Sequence, residues 1–223
     1  MHFIDMPNVS FLLDELNPFL FQRIKNEAIK WKQHFIETQG LEDSKDLLRA
    51  FQKRKLGYTE EYTLSDDTVK LLTIDLFKLV DKFEEKYKYF DKMFNYTFNI
   101  EDKDVKLELE RIWFNFQRPG EFLPLHNHTG IYSFVIWVDI PFNIEDEKDK
   151  ETNKDLVKNR TSNFEFVFTD TIGRISHHAL YVDKKWEGKI AMFPSELYHQ
   201  VYPFYSVNDV RISLAGNIRL NLG

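Results

Sequence analysis

The sequence predicts an α+β protein in which N-terminal helices support an antiparallel β sandwich or barrel. Three observations predict it. Two stretches in the first hundred residues place apolar side chains at helical spacing. From about residue 104 the period changes to two. The remainder divides into short aromatic or β-branched runs separated by Gly, Pro, Asp and Asn.

In "NPFLFQRIKNEAIKWKQHFIETQG", Asn17 suits an N-cap and Pro18 the first helical position. Leu20, Ile24, Ala28, Trp31 and Phe35 form its apolar face, and Gly40 suits its end. In "LSDDTVKLLTIDLFKLVDKFEEKYKYF", Ser65 is the expected cap, and Asp66 and Asp67 suit the positive end of the helix dipole. Val69, Leu72, Leu76, Leu79, Phe83 and Tyr87 make one stripe, whose simplest partner is a β-sheet. "VKLELERIWFNFQ" begins the alternating region, and "IYSFVIWVDIPF", "NFEFVFTD", "HALYVDKK", "KIAMFPS" and "RISLAGNIRL" follow as further strands. Residues 143–163 are almost wholly charged or polar and read as a solvated loop, or as a lid over a site. The expected organisation is one domain over 1–223, with about 1–100 as helical support and about 104–223 as the barrel core.

The chain has 21 Phe, 10 Tyr and 4 Trp, enough apolar surface to exclude a disordered protein. Its net charge of −6 argues against a broad grip on nucleic acid or anionic lipid. It has no cysteine, so disulfides, thiolate metal sites and cysteine nucleophiles are excluded, and any metal must use His, Asp or Glu. No apolar run approaches the ~20 residues of a membrane span, and the first residues lack the pattern of a signal peptide. A soluble cytoplasmic protein is expected.

The chemistry concentrates in "LPLHNHTG". His126 and His128 lie two positions apart, so on a strand they point to one side. His199 follows a short run and a proline break in "GKIAMFPSELYH". Two ligands from one strand and one from a distant strand are how a barrel builds a metal site with open positions. Paired histidines are also common on surfaces and in cores, so spacing alone leaves this open. His177 and His178 are adjacent and would point to opposite faces of a strand; they read as loop or strand-edge residues, and His2 and His34 as structural.

"GEFLPLHNH" and "GKIAMFPSELYH" resemble the two half-motifs of the cupin, or double-stranded β-helix, superfamily, through Gly120, His126 and His128 and then Gly188, Pro194 and His199. Two departures stand out. Tyr132 and Ser133 occupy the place of an expected glutamate, and Glu196 that of a small residue. Twelve residues after His199 comes "RISLAGN". This resembles iron(II)/2-oxoglutarate oxygenases, in which a basic residue, often with a hydroxyl two positions on, follows the distal histidine. Residues 110–220 as a whole are similar to a family of such oxygenases met in bacteria and bacteriophages, sharing "HNH", a Ser-Phe-Val strand, "FPSELYHQVYP" and "RIS" before "GN".

The resemblance implies a double-stranded β-helix (jelly-roll, cupin-like) barrel with N-terminal supporting helices. It implies a dioxygenase using iron(II), 2-oxoglutarate and O2 to hydroxylate an unidentified substrate. His126, His128 and His199 would hold the metal. Arg211 and Ser213 would anchor the far carboxylate of 2-oxoglutarate, as a guanidinium pairs bidentately with a carboxylate and position i+2 shares its side. Asn115, if odd positions of "WFNFQ" face inward, would reach the same cavity or else satisfy a local backbone group, and Trp113 would pack in the core. The family's usual triad has Asp or Glu where His128 stands. Either His128 is a ligand, or His126 and His199 bind with water or with Glu121 or Glu196 while His128 stands behind them. Tyr132 and Tyr198 read as packing residues, and Arg111 and Arg118 as exposed cations able to meet an anionic substrate. A metal-binding cupin, a dioxygenase without 2-oxoglutarate, and a catalytically idle barrel are the other readings. The expected substrate is a protein side chain or a small molecule rather than nucleic acid, and exposed aromatics fit a homodimer.

Overall fold

Two antiparallel sheets face each other in the computed structural model, which describes residues 10–39, 63–90, 92, 106–148 and 160–221. The strands are β1 (Leu12–Glu15), β2 (Lys106–Gln117), β3 (Leu123–His126), β4 (Tyr132–Asp139), β5 (Phe164–Thr169), β6 (Ile175–Leu180), β7 (Lys189–Pro194), β8 (His199–Val201) and β9 (Arg211–Asn221). One sheet has the order β1-β7-β4-β9-β2 and the other β3-β8-β5-β6. Helices α1 (Pro18–Gln39) and α2 (Asp66–Tyr87) contribute to the core on the outer face of the five-stranded sheet.

Strand β4 explains the run "YSFVIWV". It is central in its sheet and covered on both faces, so every position from Tyr132 to Val138 is buried. Tyr132, Phe134, Ile136 and Val138 join Leu72, Leu76 and Phe83 in a core under the helices. Val135 and Trp137 join Phe164, Phe166 and Phe193 in a second core between the sheets. A strand buried on both faces loses the alternation of polar and apolar residues.

Asn17 caps α1 as expected, its Oδ1 accepting from the Phe19 N–H at 2.9 Å. The cap of α2 differs from expectation: the Ser65 side chain makes no cap bond within its own helix. Glu27 of α1 engages Ser65 instead, accepting from the Ser65 N–H at 2.7 Å and the Ser65 hydroxyl at 2.8 Å. A carboxylate near a helix N-terminus satisfies donors and suits the dipole. Lys32 clamps α1 to the barrel through Asp139 and Asp209, both at 2.9 Å.

β1 is absent from the sequence reading, because four residues are too few to carry a period. The segment 143–163 also differs from a uniformly solvated loop. It opens with α3 (Ile144–Lys148), whose Glu147 is fully buried and accepts the N–H groups of Tyr205 and Ser206 at 2.9 and 2.8 Å. It closes on Thr161, Ser162 and Asn163, all buried. Residues 149–159, on which a lid would depend, lie outside the described residues, as does Gly40.

Candidate active site

β3 and β8 pair so that His126 stands directly opposite His199. The strand ends at His126; His128 lies past it, in a loop rather than on the strand. Its backbone N–H donates to Ser195 O at 2.9 Å, just beyond β7. The Ser195 side chain is fixed in turn, with its Oγ 2.9 Å from the buried Ser133 hydroxyl, which donates to Asn217 Oδ1 at 2.9 Å. Gly130 returns the chain to β4 at φ +108, where an added Cβ would sit 2.9 Å from Ile218 O. Only glycine adopts that conformation cheaply. The loop therefore does what strand parity was expected to do: it brings the third ring to the same side.

The three imidazoles offer nitrogen atoms that all lie within 4.8 Å of one another. His126 Nδ1 donates to Pro124 O at 2.7 Å and His199 Nδ1 to Leu197 O at 3.0 Å. A carbonyl only accepts, so each Nδ1 carries the proton and each Nε2 keeps its lone pair. A backbone partner on the far nitrogen is how proteins orient metal-binding histidines. Burial pushes the His128 imidazole down to about 4, with His126 adding to the shift, and pushes His199 down to about 3. His126 is lowered by the same cause. Desolvation disfavours the charged form, so all three are neutral at physiological pH, the form that binds metal. Phe164 stacks on His199 at 5.2 Å between centroids, and Phe193 meets it edge-on at 5.0 Å.

These histidines line one side of a funnel of about 720 Å³, open mouth included. The opposite wall is the inner face of β2 and β9. Its register pairs Trp113 with Ala215, Asn115 with Ser213, and Gln117 with Arg211, and all six line the funnel. Odd positions of "WFNFQ" therefore do face inward. Phe114 and Phe116 pack under the helices, and Trp113 lines the funnel, its ring 5.8 Å from that of His128, rather than filling the core. Asn115 accepts from Trp113 Nε1 at 3.2 Å and its amide nitrogen lies 3.5 Å from Ser213 Oγ.

Arg211 is 4% exposed. Its Nε donates to Gln117 Oε1 at 2.7 Å, Nη1 to Ser162 O at 2.8 Å and Nη2 to Tyr202 O at 3.2 Å. Phe142 and Phe204 flank the guanidinium at 6.0 and 5.7 Å. These three oxygens are neutral, and among the described residues that line the funnel none is Asp or Glu. Ser162, which supplies one of them, holds a left-handed φ of 65.

The model of the family described as "Putative 2OG-Fe(II) oxygenase" matches residues 111–217. Over those residues, just under half of its length, the chain is similar to this oxygenase family. The family's chemistry uses iron(II), 2-oxoglutarate and O2, and the three-histidine cluster fits an iron site. The oxygenase fold extends beyond the matched segment. A Pseudomonas putida prolyl-4-hydroxylase superposes with a TM-score of 0.51 at 13% identity, covering 95% of this chain and 93% of its own. AviO1 from Streptomyces viridochromogenes does so at 0.52 and 12% identity, covering 95% and 90%. Both likenesses support the double-stranded β-helix with its helical flank. No curated protein sequence matches this chain.

The donor set suits the family's metal. Imidazole nitrogens bind iron(II), and three of them on one side leave positions open on the other. The carboxylates considered as substitutes for His128 are elsewhere. Glu121 accepts from the Arg118 N–H at 2.9 Å, Glu196 is exposed, and neither lines the funnel. Tyr132 faces the helices, its hydroxyl donating to Glu84. Tyr198 is exposed, and Arg118 lies over Phe35. His177 and His178 sit on edge strand β6, the first bonded to Glu165 at 2.9 Å and the second against Phe11. His34 packs against Trp31, and His2 lies outside the described residues. Gln117 was not singled out from sequence. Its position two past Asn115, on the same strand face, was the available signal. Among the described residues no helix is long and apolar enough to cross a membrane.

Proposed function

We propose that this oxygenase hydroxylates a protein side chain or a small molecule, with His126, His128 and His199 holding iron(II) and Arg211, Ser213 and Asn115 binding 2-oxoglutarate. The observation that carries the proposal is the arrangement of the funnel: three neutral imidazoles on one wall and a buried guanidinium on the other. When bound, iron(II) and 2-oxoglutarate supply the oxidising chemistry: O2 is consumed, the cosubstrate leaves as succinate and CO2, and one oxygen atom enters a C–H bond of the substrate.

The chain's own residues bind, orient and exclude water. His126 and His199 present Nε2 because Pro124 and Leu197 hold their Nδ1 protons. Three neutral ligands leave the full charge of the metal to attract a dianionic cosubstrate, which a carboxylate ligand would reduce. Arg211 supplies the counter-charge for the far carboxylate, where its fork suits two oxygens. Ser213 Oγ can accept from the Asn115 amide and keep its own hydrogen for the cosubstrate. Phe164, Phe193 and Trp113 keep the walls apolar, which strengthens each polar contact made between them. A net charge of −6 supports a protein or small-molecule substrate over nucleic acid.

Anaerobic titration with iron(II) and 2-oxoglutarate tests this reading. A weak visible charge-transfer band should appear only when both are present, and admission of O2 should then yield succinate. Iron binding without that band would overturn the cosubstrate assignment.

A further inference from the structure

Gln117 faces Arg211 directly across β2 and β9, and its side chain is 6% exposed. Both ends of the amide are engaged. Oε1 accepts from Arg211 Nε at 2.7 Å, while Nε2 donates to Glu121 O at 2.5 Å and reaches Tyr202 O at 3.5 Å. The orientation has no workable alternative. Turned over, the amide would set its nitrogen against the Arg211 donor and its oxygen against two carbonyls.

A buried guanidinium needs an acceptor at Nε, and a carboxylate would be the stronger one. Here the acceptor is uncharged, so the guanidinium is held in place without its charge being cancelled at that position. The same Tyr202 carbonyl contacts both Gln117 and Arg211, which makes the three groups one network. Ser162 O, from the left-handed turn, closes the far side.

We infer that Gln117 is a positioning residue that sets the oxygenase's preference for a dicarboxylic 2-oxo acid: it fixes the Arg211 fork and, being neutral, leaves the charge of that fork for the cosubstrate's far carboxylate. This rests on the reading of Arg211 as the anchor. A glutamate at 117 would pair with Arg211 internally and also set oxygen against the carbonyls of Glu121 and Tyr202. A methionine would remove the acceptor without adding charge.

The test compares wild type, Gln117→Glu, Gln117→Met and Arg211→Ala, each loaded with iron(II) without oxygen. Affinities are read from the visible band for 2-oxoglutarate and for 2-oxovalerate, which shares the keto-acid end and lacks the second carboxylate. Wild type should prefer the diacid. Gln117→Glu should lose about 10- to 100-fold in 2-oxoglutarate affinity, the size of one hydrogen bond to a charged group, with 2-oxovalerate and iron affinity unchanged, so that the preference collapses. Gln117→Met should lose diacid affinity selectively but keep a preference. A Gln117→Glu protein that retains the wild-type preference overturns the inference. If that variant does not fold, Gln117→Met decides, and an unchanged or uniform loss across both acids and iron overturns it. Arg211→Ala separates the two claims. If it too keeps the preference, the anchor reading has failed; if it loses the preference while Gln117→Glu keeps it, only the role of Gln117 has failed.

Discussion

His126 and His199 oppose each other across β3 and β8, with ring centroids 4.3 Å apart. Two of the three proposed ligands are therefore fixed by the backbone ladder between strands. The third is fixed differently: His128 hangs from one hydrogen bond to Ser195 O and a turn that only Gly130 completes. The ladder pair should define whether metal binds, and the loop residue how the site is charged and shaped.

Replacing His199 by Ala should abolish iron binding, a loss larger than the roughly 10- to 100-fold that follows removal of an outer partner of a ligand. Replacing His128 by Asp should keep iron bound, because a carboxylate also ligates iron(II) from that place. The same change should weaken 2-oxoglutarate, since the negative ligand lowers the charge that attracts it. Anaerobic titration reads both. Loss of iron in His128→Asp equal to that in His199→Ala would contradict the difference in role.

Gly130→Ala should act at the site through the backbone. A Cβ there meets Ile218 O at 2.9 Å, and φ +108 is strained for any L side chain. The cost should be about 1–3 kcal/mol, as for other residues forced into sparse backbone regions. Urea midpoints should fall, and iron affinity should fall with them because His128 lies two residues away. Gly173→Ala makes the control: its φ is also positive, but nothing lies within 4 Å of the added carbon. It should cost stability and leave iron binding alone.

Arg211→Ala should raise the KM for 2-oxoglutarate strongly while leaving iron affinity near wild type. It also strands Gln117 Oε1 and Ser162 O, at about 1–3 kcal/mol for each buried acceptor that finds no water. Arg211→Lys should rescue little, because one ammonium cannot reproduce the spacing of a planar fork. Thermal melts with and without 2-oxoglutarate separate the stability loss from the binding loss. Equal loss of iron and cosubstrate would remove Arg211 from the anchoring role.

The pattern of residues carried the outlines of these sites unevenly, for physical reasons. Period two in "WFNFQ" placed Asn115 on the inner face, and the same parity reaches Gln117. Its importance lay in a cross-strand partner 94 residues away, which no local pattern contains. His126 and His128 were brought together by spacing, yet the geometry that joins them is a loop bond to Ser195 and a positive φ at Gly130. Ser65 fits a cap by type, but its own hydroxyl and N–H are engaged by a carboxylate from the neighbouring helix, Glu27. β1 and the buried turn at Ser162 were invisible because each is only a few residues long and is stabilised by partners distant in sequence. Helix stripes and most strand alternation are local and legible in the sequence, although "HALYVDKK" is strand only as far as Leu180 and then enters a 3-10 turn at Lys184–Trp186; caps, short edge strands and ligand orientation depend on packing.

The histidines also make stability depend on pH, with a definite sign. The folded values of His128 and His199 are depressed to about 4 and about 3 from 6.5, and that of His126 is lowered too. Between 6.5 and those values the unfolded chain binds protons that the folded metal-free chain refuses, so stability rises with pH there. No penalty exists above about pH 7.5. It grows as pH falls through 6.5, by up to about 1.4 kcal/mol per pH unit for each histidine, and is complete only below the folded values. Urea midpoints of the metal-free protein should therefore drop between pH 7.5 and 5. His128→Gln should flatten the slope, because glutamine does not titrate. Iron should raise the midpoints but leave the slope in this window nearly unchanged, since the folded imidazoles already refuse protons there and the unfolded chain still takes them up. Equal slopes in wild type and His128→Gln would show that the imidazole is not desolvated in the folded chain.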